Sequence, residues 1–327
     1  MTHESFQIGF DQRDKARVFE YWDKIFTSQK WAEGRFTALF EEKWAKWNGL
    51  PAVATASWAG AAMAAMEYIN LRGRKVLCPT NTFMATPLSV VKAGGEVIFG
   101  DCNREDLCLS YDAVVRAADE HDLAAVWLVH IGGHIAFDTP RIAEFCKQRG
   151  LILLEDCAHA HGASWSGRKP GTWGDAGIYS FYATKSISTG EGGMLVSGHA
   201  GLIDFAKQYR NYGKFDYAVE GLNYRMSEFT AALGAVQVDR MDEITAWKNE
   251  VAEKRLHPRY TKRLRMPPGM VSGFYKYIVF EPIEKSTGKV YDKLCHTIMK
   301  REGVFPNAEW VTQNHWCVPL YYNPAGD

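Results

Sequence analysis

At 327 residues the chain has room for one large domain and a smaller one. Its 38 Lys+Arg balance 38 Asp+Glu, which leaves no basic field for a nucleic acid, and 46% hydrophobic with 23% charged residues is the balance of a soluble globular protein. No apolar run approaches the ~18 residues of a membrane span, and the start Met1-Thr2-His3-Glu4 lacks the basic flank and apolar stretch of a secretory signal. No membrane and no nucleic-acid partner is therefore expected. The seven cysteines show no CxxC spacing and the ten histidines no metal-ligand pattern. That predicts reduced, mostly buried thiols, a cytoplasmic address and no metal site.

Two amphipathic helices open the chain. Val18, Trp22, Ile25 and Phe26 share one helical face, Phe36, Phe40, Trp44 and Trp47 another, and Gly49 reads as the stop of the second helix. Residues 53–57 form a strand that feeds an Ala- and Met-rich helix over 59–66, with Ser57 as its N-cap. Strand and helix then alternate. Apolar runs at 76–78, 97–99, 124–129, 152–154, 178–181 and 194–196 predict strands, and helical spacing fills 85–92, 110–118 and 141–148. Strands this continuously apolar belong to a mostly parallel sheet covered on both faces. The fold class is α/β, with a ligand crevice at the carboxyl ends of the strands. A helical pattern runs through 228–263. After Pro267-Pro268 the composition changes, and 274–280 and 316–322 read as strands with a helix over 290–301. The expected division is a helical arm at 1–30, a large α/β domain at 31–245 and a smaller α+β domain at 246–327.

The sharpest chemical signal lies between the strands at 178–181 and 194–197. A loop holds Lys185, with no acidic residue until Glu191, and Gly190, Gly192 and Gly193 turn the backbone. Such a lysine either snorkels to solvent or is a desolvated amine able to form a Schiff base. Glu155-Asp156 closes the strand at 152–154. A carboxylate there either caps a turn or faces the crevice, and a buried one needs a cationic partner.

Several motifs occur in a specific order. They are Pro-Thr-Asn-Thr-Phe-Met-Ala-Thr (79–86), Val-His-Ile-Gly-Gly (129–133), Glu-Asp-Cys-Ala-His-Ala-His-Gly-Ala (155–163), Gly-Asp (174–175), Tyr-Ser-Phe-Tyr-Ala-Thr-Lys (179–185), Gly-Glu-Gly-Gly (190–193) and Asn-Tyr-Arg-Met-Ser-Glu (223–228). Together they resemble the DegT/DnrJ/StrS sugar aminotransferases, which are fold-type I enzymes dependent on pyridoxal 5'-phosphate.

The resemblance implies a role for each matched residue. Lys185 is the Schiff-base lysine, and Asp156 pairs with the pyridinium nitrogen and keeps the ring an electron sink. Phe83 stacks on the ring, and His159 lies near its hydroxyl. Ser180 donates to the phosphate, and Asn223 reaches the phosphate of a neighbouring subunit. It implies transfer of an amino group from L-glutamate to a keto sugar, most often nucleotide-linked, by a homodimer with shared active sites. A cyclitol aminotransferase and a non-catalytic cofactor-binding regulatory protein are the alternatives. A dehydratase of this fold would carry histidine in place of Lys185.

Two departures from the family pattern stand out. Where the family shows Ser-Gly-Thr, this chain has Ser57-Trp58-Ala59, so the phosphate is expected to rest on the backbone amides of Trp58 and Ala59 at a helix start. The chain also stops after Pro-Leu-Tyr-Tyr-Asn-Pro-Ala-Gly-Asp, without the final helix the resemblance implies. It is expected to be a naturally short member or a shortened piece.

Overall fold

A computed structural model describes residues 7–323. Helices α1 (Gln12–Ser28) and α2 (Arg35–Asn48) lead into strand β1 (Ala52–Thr55) and helix α3 (Trp58–Tyr68). Then follow β2 (Lys75–Pro79), α4 (Ala85–Lys92), β3 (Glu96–Gly100), α5 (Tyr111–Glu120), β4 (Leu123–Val129), α6 (Thr139–Arg149) and β5 (Ile152–Asp156). The chain continues through β6 (Ser164–Trp165), β7 (Ala176–Ser180), β8 (Gly193–Val196), α7 (Ala200–Tyr209), α8 (Glu228–Val238) and α9 (Met241–Val251). Its last part holds α10 (His257–Arg259), β9 (Met270–Val271), β10 (Tyr277–Val279), α11 (Cys295–Ile298), α12 (Pro306–Asn314) and β11 (Trp316–Val318).

The main sheet has the order β1-β8-β7-β5-β4-β2-β3. Strand β8 runs antiparallel to β1 and β7, and the other pairings are parallel. Successive side chains of a strand point to opposite faces, and here both faces are covered. Val126, Leu128 and Leu153 pack with Val114 and Ile142 of α5 and α6. Ala125, Trp127 and Leu154 pack with Ala61, Ala65 and Leu202 of α3 and α7. This explains why β4 is buried along its whole length and reads as an unbroken apolar run. The parallel strands β2, β4, β5 and β7 end on one edge, where β1 also hands over to α3.

Local signals place the helix ends. Gly49 stops α2 at φ 97°, and the Ser57 hydroxyl accepts the Gly60 N–H at the start of α3. On α1 the buried face is Val18, Tyr21 and Ile25. Phe26, which shares that helical spacing, is exposed and packs at the edge against Trp31 and Phe229.

Three expectations for the last third need correction. The helical pattern over 228–263 is interrupted between Val238 and Met241, where Arg240 turns inward and bonds Asp14 and Glu243. It passes through a π-helical turn at Ala252–Leu256 into the short α10, which holds Pro258, whose ring nitrogen has no proton to donate. The strands expected at 274–280 and 316–322 are only Tyr277–Val279 and Trp316–Val318, paired antiparallel. The helix expected over 290–301 survives only as α11, because tertiary partners claim its backbone and side chains. Val290 N–H donates to His315 Nε2 (2.8 Å), Cys295 N–H to the Thr80 carbonyl (2.8 Å), and Tyr291 is drawn against His159.

Candidate active site

The carboxyl ends of the strands converge on a cavity of about 510 Å³. Asp156 ends β5 and Ser180 ends β7. Thr82 and Phe83 follow β2, Trp58 follows β1, and Lys185 stands in the loop from β7 to β8; all line the cavity. This is where an open α/β sheet places its ligands. Alternation along β5 sends Glu155 elsewhere. It is fully buried and accepts the amides of Gly171, Trp173 and Gly174, with His130 Nε2 at 2.8 Å. Of this adjacent pair of acids, only Asp156 is left for chemistry.

Lys185 is partly buried, and among the described residues no carboxylate bonds its amine. Burial lowers its pKa to about 8 against the pull of Asp156, with Lys276 adding to the fall. Its Nζ stands 4.8 Å from the centre of the Tyr275 ring. A second buried lysine, Lys248, steadies this loop by donating to Ser186 Oγ and to the Phe274 carbonyl, both at 3.2 Å.

Asp156 is held by neutral donors rather than by a cation. Oδ1 accepts the Trp58 indole N–H and the Ala158 amide, each at 3.0 Å, and Oδ2 accepts the Thr86 hydroxyl at 2.9 Å. Burial raises its pKa; the Ala158 and Thr86 bonds, the Lys185 charge and the Trp58 bond all oppose the rise. The cationic partner expected of a buried carboxylate is thus present only through space, as Lys185.

His159 is buried, and its Nδ1 accepts the Gly132 N–H at 3.4 Å. Its ring is stacked on Tyr275 (4.2 Å, 29°) and also lies parallel to Tyr291 (5.8 Å, 17°). Burial, with the positive charges of Lys185 and Lys276, holds its pKa far below the usual histidine range, so the ring is neutral. Phe83 is 66% exposed and lines the cavity.

Ala59 is exposed in the first turn of α3 and does not line the cavity, but its amide and that of Trp58 stand at the helix start, where no carbonyl of the same helix reaches them. Gly193 lets β8 come this close: a Cβ there would lie 2.3 Å from the Ser57 carbonyl oxygen. Asn223 is exposed, outside the cavity, and bridged to Asn211. Helix α8 is capped by Ser227, not by Asn223.

Sequence reasoning passed over Tyr275, Lys276, Tyr291 and Lys293, which wall the cavity from the far part of the chain. The signal for them was the motif at 129–133. Gly133 has φ +111°, a Cβ on it would fall 2.4 Å from the Tyr275 amide, and the Gly132 carbonyl accepts the Lys276 N–H at 2.8 Å. Thr86 lay inside a quoted motif without a role. The structure also gathers ligand-type atoms that spacing does not reveal, at Asp106, Cys108 and His134 and at His130, Glu155 and Cys157. Backbone amides already use the carboxylates: Asp106 accepts those of Cys108 and Phe137, as Glu155 accepts three.

Comparison with known proteins bears on the fold and the family. The model of the DegT/DnrJ/EryC1/StrS aminotransferase family matches residues 12–273. A GDP-perosamine synthase from Vibrio cholerae is 33% identical over 229 residues, 68% of this chain and 62% of that protein, so the chain spans less than two thirds of that relative's length. The L-glutamine:2-deoxy-scyllo-inosose aminotransferase of Streptomyces kanamyceticus is 29% identical over 316 residues, 90% of this chain and 71% of that protein. Among solved structures, the aminotransferase TlmJ from Streptoalloteichus hindustanus superposes with a TM-score of 0.87 at 26% identity, covering 97% of this chain and 93% of that one. The chain belongs to the DegT/DnrJ/EryC1/StrS aminotransferase family.

Proposed function

We propose that the protein is a pyridoxal 5'-phosphate-dependent aminotransferase that moves an amino group from L-glutamate to a keto sugar carried on a nucleotide. The observation that carries this reading is the facing pair in one cavity: a lysine amine with its pKa lowered to about 8 and a buried aspartate.

The residues present fit the cofactor. The Trp58 and Ala59 amides at the start of α3, with the Ser180 hydroxyl, would hold the phosphate at the positive end of a helix dipole. Phe83 presents an aromatic face for the ring, His159 is placed for the ring hydroxyl, and Asp156 for the ring nitrogen. When bound, pyridoxal phosphate supplies an aldehyde to take up the amino group and a ring that spreads negative charge from the donor's Cα. Lys185 Nζ is neutral above about pH 8, so it would hold the cofactor at rest and serve as the base and acid for the Cα proton. Asp156 would stand against the ring nitrogen and favour its protonated form. The walls at Tyr275 and Tyr291 shield the amine from water.

Lys276 and Lys293 line the cavity and suit an anionic carrier such as a nucleotide diphosphate. The similarity to the Streptomyces kanamyceticus cyclitol enzyme supports a second reading, a keto-inositol acceptor. We further infer a homodimer with shared sites. The loop before Asn223 leaves Phe215 92%, Tyr217 67% and Leu222 56% exposed, as a surface awaiting a second copy would. The seven buried free thiols suit the reducing cytoplasm. An arm at 1–30, a cofactor-binding unit at 31–245 and a small unit at 246–327 are part of the same reading, supported by a main sheet that lies wholly within β1 to β8.

The test is a half-reaction followed by acceptor choice. Protein loaded with pyridoxal phosphate is mixed with L-glutamate alone, and loss of the visible absorption band is followed. Wild type should convert and Lys185→Ala should not. Return of the band on adding a nucleotide-linked keto sugar supports the first acceptor, and return only with 2-deoxy-scyllo-inosose supports the second. A wild-type protein that never converts overturns both.

A further inference from the structure

We propose that Trp58 is a positioning residue whose indole N–H fixes the Asp156 carboxylate, so that Oδ2 alone is left to accept a hydrogen bond from the ring-nitrogen N–H of the cofactor. The inference rests on the reading above and concerns this chain's own departure from the family pattern, a tryptophan where a glycine is usual.

Trp58 lines the cavity, but most of its ring is buried beneath it. The residue is 7% exposed and leans on Trp127 of β4, with ring centroids 5.5 Å apart and planes tilted by 37°. Small residues make the room: Ala61, Ala62, Ala64 and Ala65 of α3 are all fully buried, which lets the helix lie close on the sheet. Seated this way, the indole has its one donor aimed at Asp156 Oδ1, at 3.0 Å. An indole N–H can only donate, and a carboxylate can only accept.

The remaining capacity of Asp156 then follows by counting. A carboxylate offers about four lone-pair directions. Oδ1 uses its two on Trp58 and Ala158, and Oδ2 uses one on Thr86. One direction on Oδ2 remains. The three donors come from α3, α4 and the turn after β5, so the carboxylate cannot rotate without breaking bonds to three separate elements. A side chain fixed in this way places its remaining acceptor before the cofactor arrives, and such preorganisation is what gives an electrostatic partner its strength in a dry site. Hydrogen bonds to the ionised form also oppose the rise in pKa that burial imposes on Asp156.

Two measurements test this, one of them without cofactor. In cofactor-free protein labelled with 15N at tryptophan, the Trp58 indole signal, identified by its loss in Trp58→Phe, should shift with pH as Asp156 titrates. In Asp156→Asn that shift should vanish. An indole signal indifferent both to pH and to Asp156→Asn overturns the proposal. The second measurement is pyridoxal phosphate affinity in a double-mutant cycle. Trp58→Phe keeps a ring against Trp127 and loses only the donor. It should weaken binding about tenfold or more, the size of a hydrogen bond to a charged group. In the Asp156→Asn background the same substitution should change affinity by less than about twofold. Equal losses in both backgrounds would show Trp58 as plain packing. If wild type binds no pyridoxal phosphate, the functional reading fails, and the indole titration still decides whether Trp58 holds Asp156.

Discussion

Tyr275 covers two titratable groups of the cavity: its ring lies on His159 with centroids 4.2 Å apart and stands 4.8 Å from the amine of Lys185. It is therefore a lid against water for the amine, and desolvation is the larger cause of the lowered pKa of Lys185. Tyr275→Ala should admit water and let that pKa climb from about 8 toward its ordinary 10.5. Loss of the ring also removes a cation–π attraction, which acts the other way, but at ~1 kcal/mol it is the smaller effect. Only the neutral amine attacks an aldehyde, so the midpoint of the pH dependence of cofactor attachment should move up in Tyr275→Ala. It should stay near 8 in Tyr275→Phe, which keeps the ring. A midpoint unmoved by the alanine would show that the amine is desolvated by something else.

The same lowered pKa makes a stability prediction for the cofactor-free protein. Lys185 has a pKa of about 8 when folded and 10.5 as its reference, so between those values the unfolded chain holds more protons. Stability therefore rises with pH across that window, and below about pH 8 the folded state carries the full penalty. A shift of this size corresponds to roughly 3 kcal/mol. Urea unfolding at pH 7 and pH 10.5 should show Lys185→Ala gaining on wild type at pH 7 and losing that advantage at pH 10.5. Other groups titrate in the window, so the difference between the two proteins is the readout.

Much of this site was legible because it lies where strands end. Apolar runs located β4, β5 and β7 to within two residues, and the residues at or after their carboxyl ends, Asp156, Ser180 and Lys185, had to meet at one edge of the sheet. Contacts between distant segments were not legible. Tyr275 and Tyr291 reach His159 across more than a hundred residues, and no local pattern marks an aromatic as a wall of a cavity. Trp58 offered only its backbone amide to the sequence reading, because a sequence does not show the direction of an indole N–H. The failed helix at 290–301 is the reverse case. Its local pattern was sound, and tertiary bonds to Thr80 and His315 outbid it.

Glu228 ends the quoted motif at 223–228, yet its work is structural. It is buried and accepts the amides of Gly34 (3.0 Å), Phe36 (2.6 Å) and Thr37 (2.9 Å), with the Thr37 hydroxyl, at the positive end of α2. Glu228→Ala leaves those donors buried without an acceptor and should cost about 3 kcal/mol or more in urea unfolding. Glu228→Gln keeps one acceptor oxygen and should cost less. Both variants should retain cofactor affinity at temperatures where they stay folded. A loss of affinity in fully folded Glu228→Gln would assign the residue to the site instead.

The last prediction concerns the sharing of sites between two copies. Asn223 is exposed and lies outside the cavity of its own chain; Ser227 rather than Asn223 caps α8, and the local bond Asn223 makes is Oδ1 accepting the Arg225 N–H at 3.3 Å. If Asn223 serves a neighbouring copy, two-fold symmetry makes the service mutual and gives two composite sites per dimer. Lys185→Ala disables the site that owns the lysine. Asn223→Asp sets a negative charge against the phosphate of whichever site it serves. In a mixed dimer of these two variants, one site then combines a wild-type Lys185 from one chain with a wild-type Asn223 from the other. Co-expression of the two inactive variants should restore activity, up to about half the wild-type level. Each purified variant should bring back nothing alone, and size-exclusion chromatography should show both as dimers. If mixing restores no more than Asn223→Asp shows by itself, Asn223 serves its own chain, and the exposed aromatic loop before it does not complete a partner's site.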